Sequence, residues 1–383
     1  MLHFTPDEFE RRRARLSAEM AERKLDAVML FAQDSMFWLT GYDTFGFCFF
    51  QCLVVKADGE MRLLTRSADL RQARATSNIE TVVVWRDRGG ANPAIELRDM
   101  MDDMGLLGAR VGVEWSTHGL TAANGKLVEE KLGSFAALTD ASDLVPALRV
   151  IKSEAEIAYA REAARLGDEA FEAMWPLVRE GADEGVLLHA LQGDILLKGG
   201  DYPANPFILG SGEDALLCRY KSGRRNLSAQ DQLTIEWSGV KAQYHAPLMR
   251  TVIVGRPLIR HEELFAAGAE ALKAVEGAMR PGQTFGDVFD AHARVMEAHD
   301  LARHRLAACG YSVGARFAPS WMDPQMFVSG NAEPIRPNMT LFAHMIIMDS
   351  DSGAAMCLGQ TYLTTEGAPE CLSRLPIELK ATG

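Results

Sequence analysis

Glu236 interrupts the apolar run Leu233-Thr234-Ile235-Glu236-Trp237. A carboxylate buried in such a strand would pair with an organic cation, take a proton from water, or attack as a nucleophile. Facing water, it would be an ordinary residue of an alternating strand. His344 stands similarly in Leu341-Phe342-Ala343-His344-Met345, where a lone imidazole is either a satisfied core residue or a pocket group. His245, in Tyr244-His245-Ala246-Pro247, belongs to the one residue type that titrates near neutral pH unperturbed. It would shuttle protons in a pocket or simply hydrogen-bond beneath a sheet. Arg219, in Leu217-Cys218-Arg219-Tyr220, stays protonated and cannot be a base. It would bind a carboxylate or a developing anion, or else add to the surface charge of Lys221, Arg224 and Arg225. Cys48, Cys52, Cys218, Cys309, Cys357 and Cys371 form no Cys-x-x-Cys pair, so reduced thiols are expected rather than a zinc knuckle.

Two kinds of element must position these groups. Up to about residue 148, short β-type runs (26–32, 51–57, 60–65, 80–85, 110–115) alternate with helical stretches at 7–24 and 94–104, which reads as a compact α/β domain. Ser153-Glu154-Ala155-Glu156 is then a capping box, with a serine oxygen for a backbone N–H and a glutamate three residues on. It opens a long helix whose Ile157, Ala160, Ala164, Phe171 and Met174 recur at helical spacing, ended near Pro176. A helix at 184–198 and a break at Gly199-Gly200-Asp201-Tyr202-Pro203 follow. Strands are expected at 232–239, 250–255, 339–348 and 361–365, with helices at 261–279 and 285–300 between them. This mixture is that of an α+β layer fold, giving domains 1–150 and 151–383.

The 383 residues carry 48% hydrophobic and 24% charged side chains and a formal charge of −12. That balance supports a sizeable core and offers no basic excess to displace counterions from phosphates, so no nucleic-acid partner is expected. The charged N-terminal stretch and the lack of a run of about 18 apolar residues lead us to expect no signal peptide, no membrane span and a cytoplasmic protein.

The order of several short motifs resembles the creatinase, prolidase and methionine-aminopeptidase family. They are Ile151-Lys152-Ser153, Ser211-Gly212, Tyr244 to Thr251 with its Arg250-Thr251 pair, Arg280-Pro281-Gly282, Gly310 to Gly314, Arg336-Pro337-Asn338-Met339 and Thr365-Glu366-Gly367. Trp38-Leu39-Thr40-Gly41-Tyr42 is similar to the family's additional N-terminal domain. Within the family, Gly199 to Ala204, Tyr244 to Pro247 and Cys309-Gly310-Tyr311 resemble the ectoine hydrolases, a metal-free branch. The resemblance implies a C-terminal pita-bread domain with a smaller N-terminal α/β domain, and a homodimer.

Most of the family holds two metal ions with two aspartates, a histidine and two glutamates. By the resemblance those positions are Glu236, Pro247, Tyr311, His344 and Gly359, which leaves two possible ligands where about three or four are usual. No metal or other cofactor is therefore expected. Hydrolysis without a Lewis acid needs a substrate that is already electrophilic, such as an amidinium or guanidinium. The expected substrate is thus a small zwitterion, hydrolysed at a C–N bond, with Glu236, His245 and His344 as catalytic candidates. Arg219 would bind its carboxylate and Tyr311 would donate to an oxyanion. The resemblance further implies Asp201 and Tyr202 in a closing loop, and Trp38, Tyr42 and Phe47 lining the pocket from a neighbouring subunit, although each aromatic is equally explicable as core or interface packing. It also implies Arg250 near the substrate or as a structural ion-pairing residue. A metal-dependent Xaa-Pro dipeptidase and a non-catalytic binding protein are the alternatives. Arg219 and Gly359 depart from the ectoine hydrolase pattern.

Overall fold

In the computed structural model, which describes residues 2–219 and 222–383, the chain forms two units, Met1–Arg149 and Val150–Gly383. Tyr220 and Lys221 lie outside the described residues. In the first unit Thr5 caps α1 (Pro6–Glu22) by accepting the Glu8 N–H, and the helix buries Phe9, Leu16 and Met20. Strands β1 (Ala27–Leu30), β2 (Cys52–Lys56), β3 (Met61–Arg66), β4 (Thr81–Trp85), β5 (Arg110–Val113) and β6 (Ala137–Asp140) form one sheet. Its order is β4-β3-β2-β1-β5-β6, antiparallel at β1/β2 and β2/β3 and parallel elsewhere. Helices α2 (Gln33–Thr40), α3 (Leu70–Thr76), α4 (Pro93–Asp103), α5 (Ala122–Leu132) and α6 (Leu144–Arg149) complete it.

In the second unit both halves of the Ser153/Glu156 capping box form, and they open α7 (Glu154–Met174). α8 (Glu184–Leu197), β7 (Ile208–Ser211), β8 (Asp231–Lys241) and β9 (Tyr244–Val254) follow. The long helices α9 (Ile259–Ala278) and α10 (Phe285–Ala298) come next. β10 (Ala308–Ser312), β11 (Asp323–Val328), β12 (Thr340–Asp349), β13 (Ala354–Leu363) and the short β14 (Glu370–Cys371) close the chain. The strands pair antiparallel in the order β11-β10-β12-β13-β9-β8-β7, with β14 on β13.

Alternation along these strands divides the sheet into two faces. Leu233, Ile235 and Trp237 of β8 pack with Leu166, Ala170, Leu187 and Leu191 of α7 and α8. Met345 and Ile347 of β12 and Met356 and Leu358 of β13 pack with Leu264, Ala267 and Val288 of α9 and α10. Each such buried Val, Leu, Ile or Met side chain is worth about 1.5–3 kcal/mol. The approach of α7 to β8 is close: a Cβ on Gly239 would stand 1.8 Å from the Ala163 carbonyl oxygen. The Trp237 indole donates to the Gly167 carbonyl at 2.8 Å across the same contact. The intervening residues of each strand, Glu236 and His344 among them, therefore face away from the helices.

β9 begins at Tyr244, six residues earlier than the apolar run at 250–255 indicates. Pro247 obscures the strand in sequence because proline lacks a ladder N–H. The Pro247 carbonyl still accepts a hydrogen bond, from the Thr361 hydroxyl at 2.8 Å. Among the described residues, no helix is long and apolar enough to cross a membrane.

Candidate functional site

Ladder pairing sets one row across the face opposite Leu233, Ile235 and Trp237. Ile208 pairs with Glu236, Glu236 with Met249, Met249 with Gly359, and Gly359 with His344. Directly opposed residues share a face, so Glu236 and His344 project to the same side, three strands apart. Phe342, two residues before His344, pairs with Tyr311 and brings it to that side as well. The Tyr311 and His344 rings lie 5.6 Å apart and the Phe342 and His344 rings 5.5 Å apart.

The row is buried and electrostatically coupled. Burial pushes the Glu236 carboxyl up from its ordinary 4.5 to about 7, against a smaller opposing pull from Arg219. Among the described residues its carboxylate has no hydrogen-bond donor. Burial drives the His344 imidazole down to about 3, so it is neutral at physiological pH, and its Nδ1 has no hydrogen-bond partner. The Tyr311 phenol is held well above its usual range by burial and by the negative charge of Glu236, so it remains a donor. Its oxygen accepts the Trp321 indole N–H at 2.9 Å, which leaves the phenolic hydrogen for another acceptor. Arg219 is exposed in its own segment, yet its charge acts on Glu236, Tyr311 and His344 alike. Glu184, at the start of α8, holds that segment: its buried carboxylate accepts the Ser211 N–H and hydroxyl and the Arg224 N–H, at 2.6–3.0 Å.

The remaining expected residues separate into different roles. His245 Nε2 accepts the Ala204 N–H at 2.9 Å, and burial lowers the ring to about 4 although the Gln243 and Gly314 carbonyls pull the other way. The proton-shuttle expectation is thereby corrected: the ring is neutral, and its acceptor nitrogen anchors the segment after Gly199. The next residue of that segment, Asn205, accepts the Trp321 backbone N–H with its Oδ1 at 3.1 Å, so the loop is tied to the backbone of the residue whose indole supports Tyr311. Asp201 is half-buried, with its charge felt by Tyr159 of α7, and Tyr202 is 73% exposed.

Arg250 lies one residue out of phase with Met249, on the helix-covered face, and its guanidinium bonds the Met249 and Gly359 carbonyls at 2.8 Å. As a substrate contact of the Glu236 site it is corrected, because the sheet stands between. Trp38 and Tyr42 are fully buried in the core of the first unit with Leu16, Met20 and Val55. A side chain without exposed surface cannot line a neighbour's pocket, so these two are corrected to core residues. Phe47 is half-buried in the same unit. Sequence reasoning missed Trp321, Glu184 and Phe342. The first two signal nothing in sequence, whereas Phe342, two residues before His344 in one strand, was detectable by parity.

The profile of metallopeptidase family M24 matches residues 158–366, and that of the creatinase/prolidase N-terminal domain matches residues 12–151. The chain belongs to metallopeptidase family M24. An uncharacterized hydrolase/peptidase of Sinorhizobium fredii is 31% identical over 332 residues, covering 84% of each chain. The ectoine hydrolase of Halomonas elongata is 27% identical over 400 residues, covering 99% of this chain and 98% of its own. Among solved structures, the Xaa-Pro dipeptidase of Bacillus anthracis superposes with a TM-score of 0.82 at 18% identity, covering 97% of this chain and 99% of that one. The prolidase of Thermococcus sibiricus reaches a TM-score of 0.87 at 16% identity, with 97% and 99% coverage. The two expected domains are thus the creatinase-type N-terminal domain and the pita-bread domain of an M24 hydrolase.

The residues at the family's ligand positions do not fit a metal pair. Pro247 has no side-chain donor. Gly359 has no side chain, and the Phe342 ring fills the place of one: a Cβ there would lie 2.7 Å from the ring. Glu236 and His344 remain, where about three or four protein donors are usual. Among the described residues, the trio of His, Cys, Asp or Glu side chains close enough to share an ion is His304, Asp349 and Asp351, at the end of β12. There Asp349 is held by Arg260 at 2.7 Å and Asp351 by Arg303 at 2.6 Å, so arginines already neutralise both carboxylates.

Proposed function

We propose that this M24 hydrolase acts without metal on a C–N bond of a small amidine, guanidine or cyclic amide zwitterion, with ectoine and hydroxyectoine the first compounds to test. The observation that carries the reading is the convergence of a buried carboxyl near pKa 7, a neutral imidazole, a phenol and an arginine's field on one face, without a metal-ligand set. The full-length similarity to an ectoine hydrolase supports it.

A buried carboxylate attracts a delocalised cation that water would otherwise solvate. With a pKa of about 7, Glu236 is populated in both protonation states at neutral pH, as suits a group that takes a proton from water and later returns it. Water adds to the amidinium carbon while Glu236 accepts its proton. The Tyr311 hydroxyl and the neutral His344 ring hydrogen-bond the tetrahedral oxygen or nitrogens. Protonation of the leaving nitrogen by Glu236 then breaks the C–N bond, opening a ring to an amide and an amine with the net addition of one water. In this reading Arg219 binds the substrate carboxylate. We further propose that the protein works as a cytoplasmic homodimer, which light scattering would check.

The test is incubation of EDTA-treated protein with ectoine, hydroxyectoine and creatine, followed by product analysis. Turnover of ectoine to acetyl-diaminobutyrate, unchanged by EDTA and lost in Glu236→Gln, is the expected outcome. If all three compounds are inert while manganese-loaded protein cleaves an Xaa-Pro dipeptide, the peptidase reading replaces this one. Binding of a compound without conversion replaces it with a non-catalytic role.

A further inference from the structure

Behind the sheet, on the face opposite Glu236, lies a half-enclosed cavity of about 230 Å3. Phe171 and Trp175 form its aromatic wall, with rings 6.4 Å apart and nearly parallel at 15°. Val252, Leu375 and Arg250 line it as well, together with two carboxylates, Glu172 and Glu378, and the cation Lys380.

Arg250 is 2% exposed, and the partners it bonds are neutral carbonyls: Met249 and Gly359 at 2.8 Å, Leu375 at 3.3 Å and Pro376 at 3.5 Å. A buried cation hydrogen-bonded only to carbonyls is costly, and burial draws its pKa down to about 10 against smaller upward pulls that include those of Asp168 and Glu378. The nearby carboxylates are already engaged. Glu172 pairs with Arg374 at 2.6 Å, Glu378 with Lys380 at 3.0 Å, and Asp168 binds Ser373 and Arg374. Lys380 covers the Trp175 ring at 4.9 Å, so a second cation stands at the cavity.

We propose that this cavity is a second ligand site, built for a small planar apolar ring bearing one carboxylate, with the ring against Phe171 and Trp175 and the carboxylate toward Arg250. An apolar cavity of about 150 Å3 accommodates benzene, so the volume suits a six-membered ring with a short acidic arm. Arg250 also holds the Gly359 and Met249 carbonyls, which belong to the row beneath Glu236 and His344. An occupant therefore adds an anion to the guanidinium that braces the floor of the candidate site.

Benzoate and phenylacetate are the probes, with benzamide and benzylamine as neutral and cationic controls, titrated calorimetrically into the full chain. One saturable site for the acids, with the controls weaker by roughly tenfold or more, is expected. Binding unchanged in Arg219→Ala separates this cavity from the Glu236 site. In NMR, the acids should shift the Trp175 indole N–H resonance, identified through Trp175→Phe. The proposal is overturned by any of four results: no saturable binding of either acid, equal binding of benzamide, binding that is lost in Arg219→Ala, or binding that leaves the Trp175 resonance in place.

Discussion

Replacing Glu236 by Gln removes a titration that burial displaces upward. The unfolded chain releases this proton near 4.5, whereas the buried carboxyl retains it to about 7. At about 1.4 kcal/mol per pH unit, the gap corresponds to about 3 kcal/mol. The folded state binds the extra proton throughout that window. The contribution is therefore complete below pH 4.5, declines as pH rises through the window, and is lost above 7. Urea denaturation of wild type and Glu236→Gln at half-unit steps from pH 4.5 to 8 isolates the effect, because other titrating groups are common to both proteins. Relative to the wild type, the variant should gain about 3 kcal/mol between the two ends, most of it below pH 7, whatever its offset at pH 4.5. Curves that stay parallel to within about 1 kcal/mol would refute the burial of an unpaired carboxylate there, and with it the base assigned to this hydrolase.

Arg219→Ala should move the limb that Glu236 gives to the pH–rate profile above 7, since the arginine favours the ionised form; an unmoved limb means that the guanidinium points elsewhere. His245→Ala leaves the buried Ala204 N–H without its acceptor, at a cost of about 1–3 kcal/mol. Amide exchange at Ala204 should quicken, while the limb near 7 stays in place because the imidazole is neutral throughout that range. Gly359→Ala drives a methyl against Phe342 and should cost about 1–3 kcal/mol in a denaturant midpoint.

Chemistry carried on regular elements was the most legible in sequence. The Ser153/Glu156 box announced α7, and Glu236 and His344 announced themselves by interrupting apolar runs. Both lie on the same face because β-alternation is strict wherever helices cover the other side. That same alternation speaks against Arg250, which is an odd number of residues from His245 within one strand, but Pro247 hid the strand that makes the count meaningful. Trp38 and Tyr42 could not be separated from pocket aromatics, because an aromatic run reads alike in a core and in a binding wall. The hold of Ala204 on His245, and that of Trp321 on Tyr311, joins residues 41 and 10 positions apart. Contacts of that kind arise from loop closure, and no local pattern encodes them.

The Phe342 ring over Gly359 also constrains the paths by which this sequence can change. An acid restored at 359 alone would be driven into the ring, and a ring removed alone would leave a void beside Tyr311 and His344. Each single step passes through a less stable protein, by a few kcal/mol in either order. With Pro247 requiring a third replacement on the neighbouring strand, reacquiring a metal pair is a route of several simultaneous substitutions. The packing thus acts as a ratchet against any side chain at position 359.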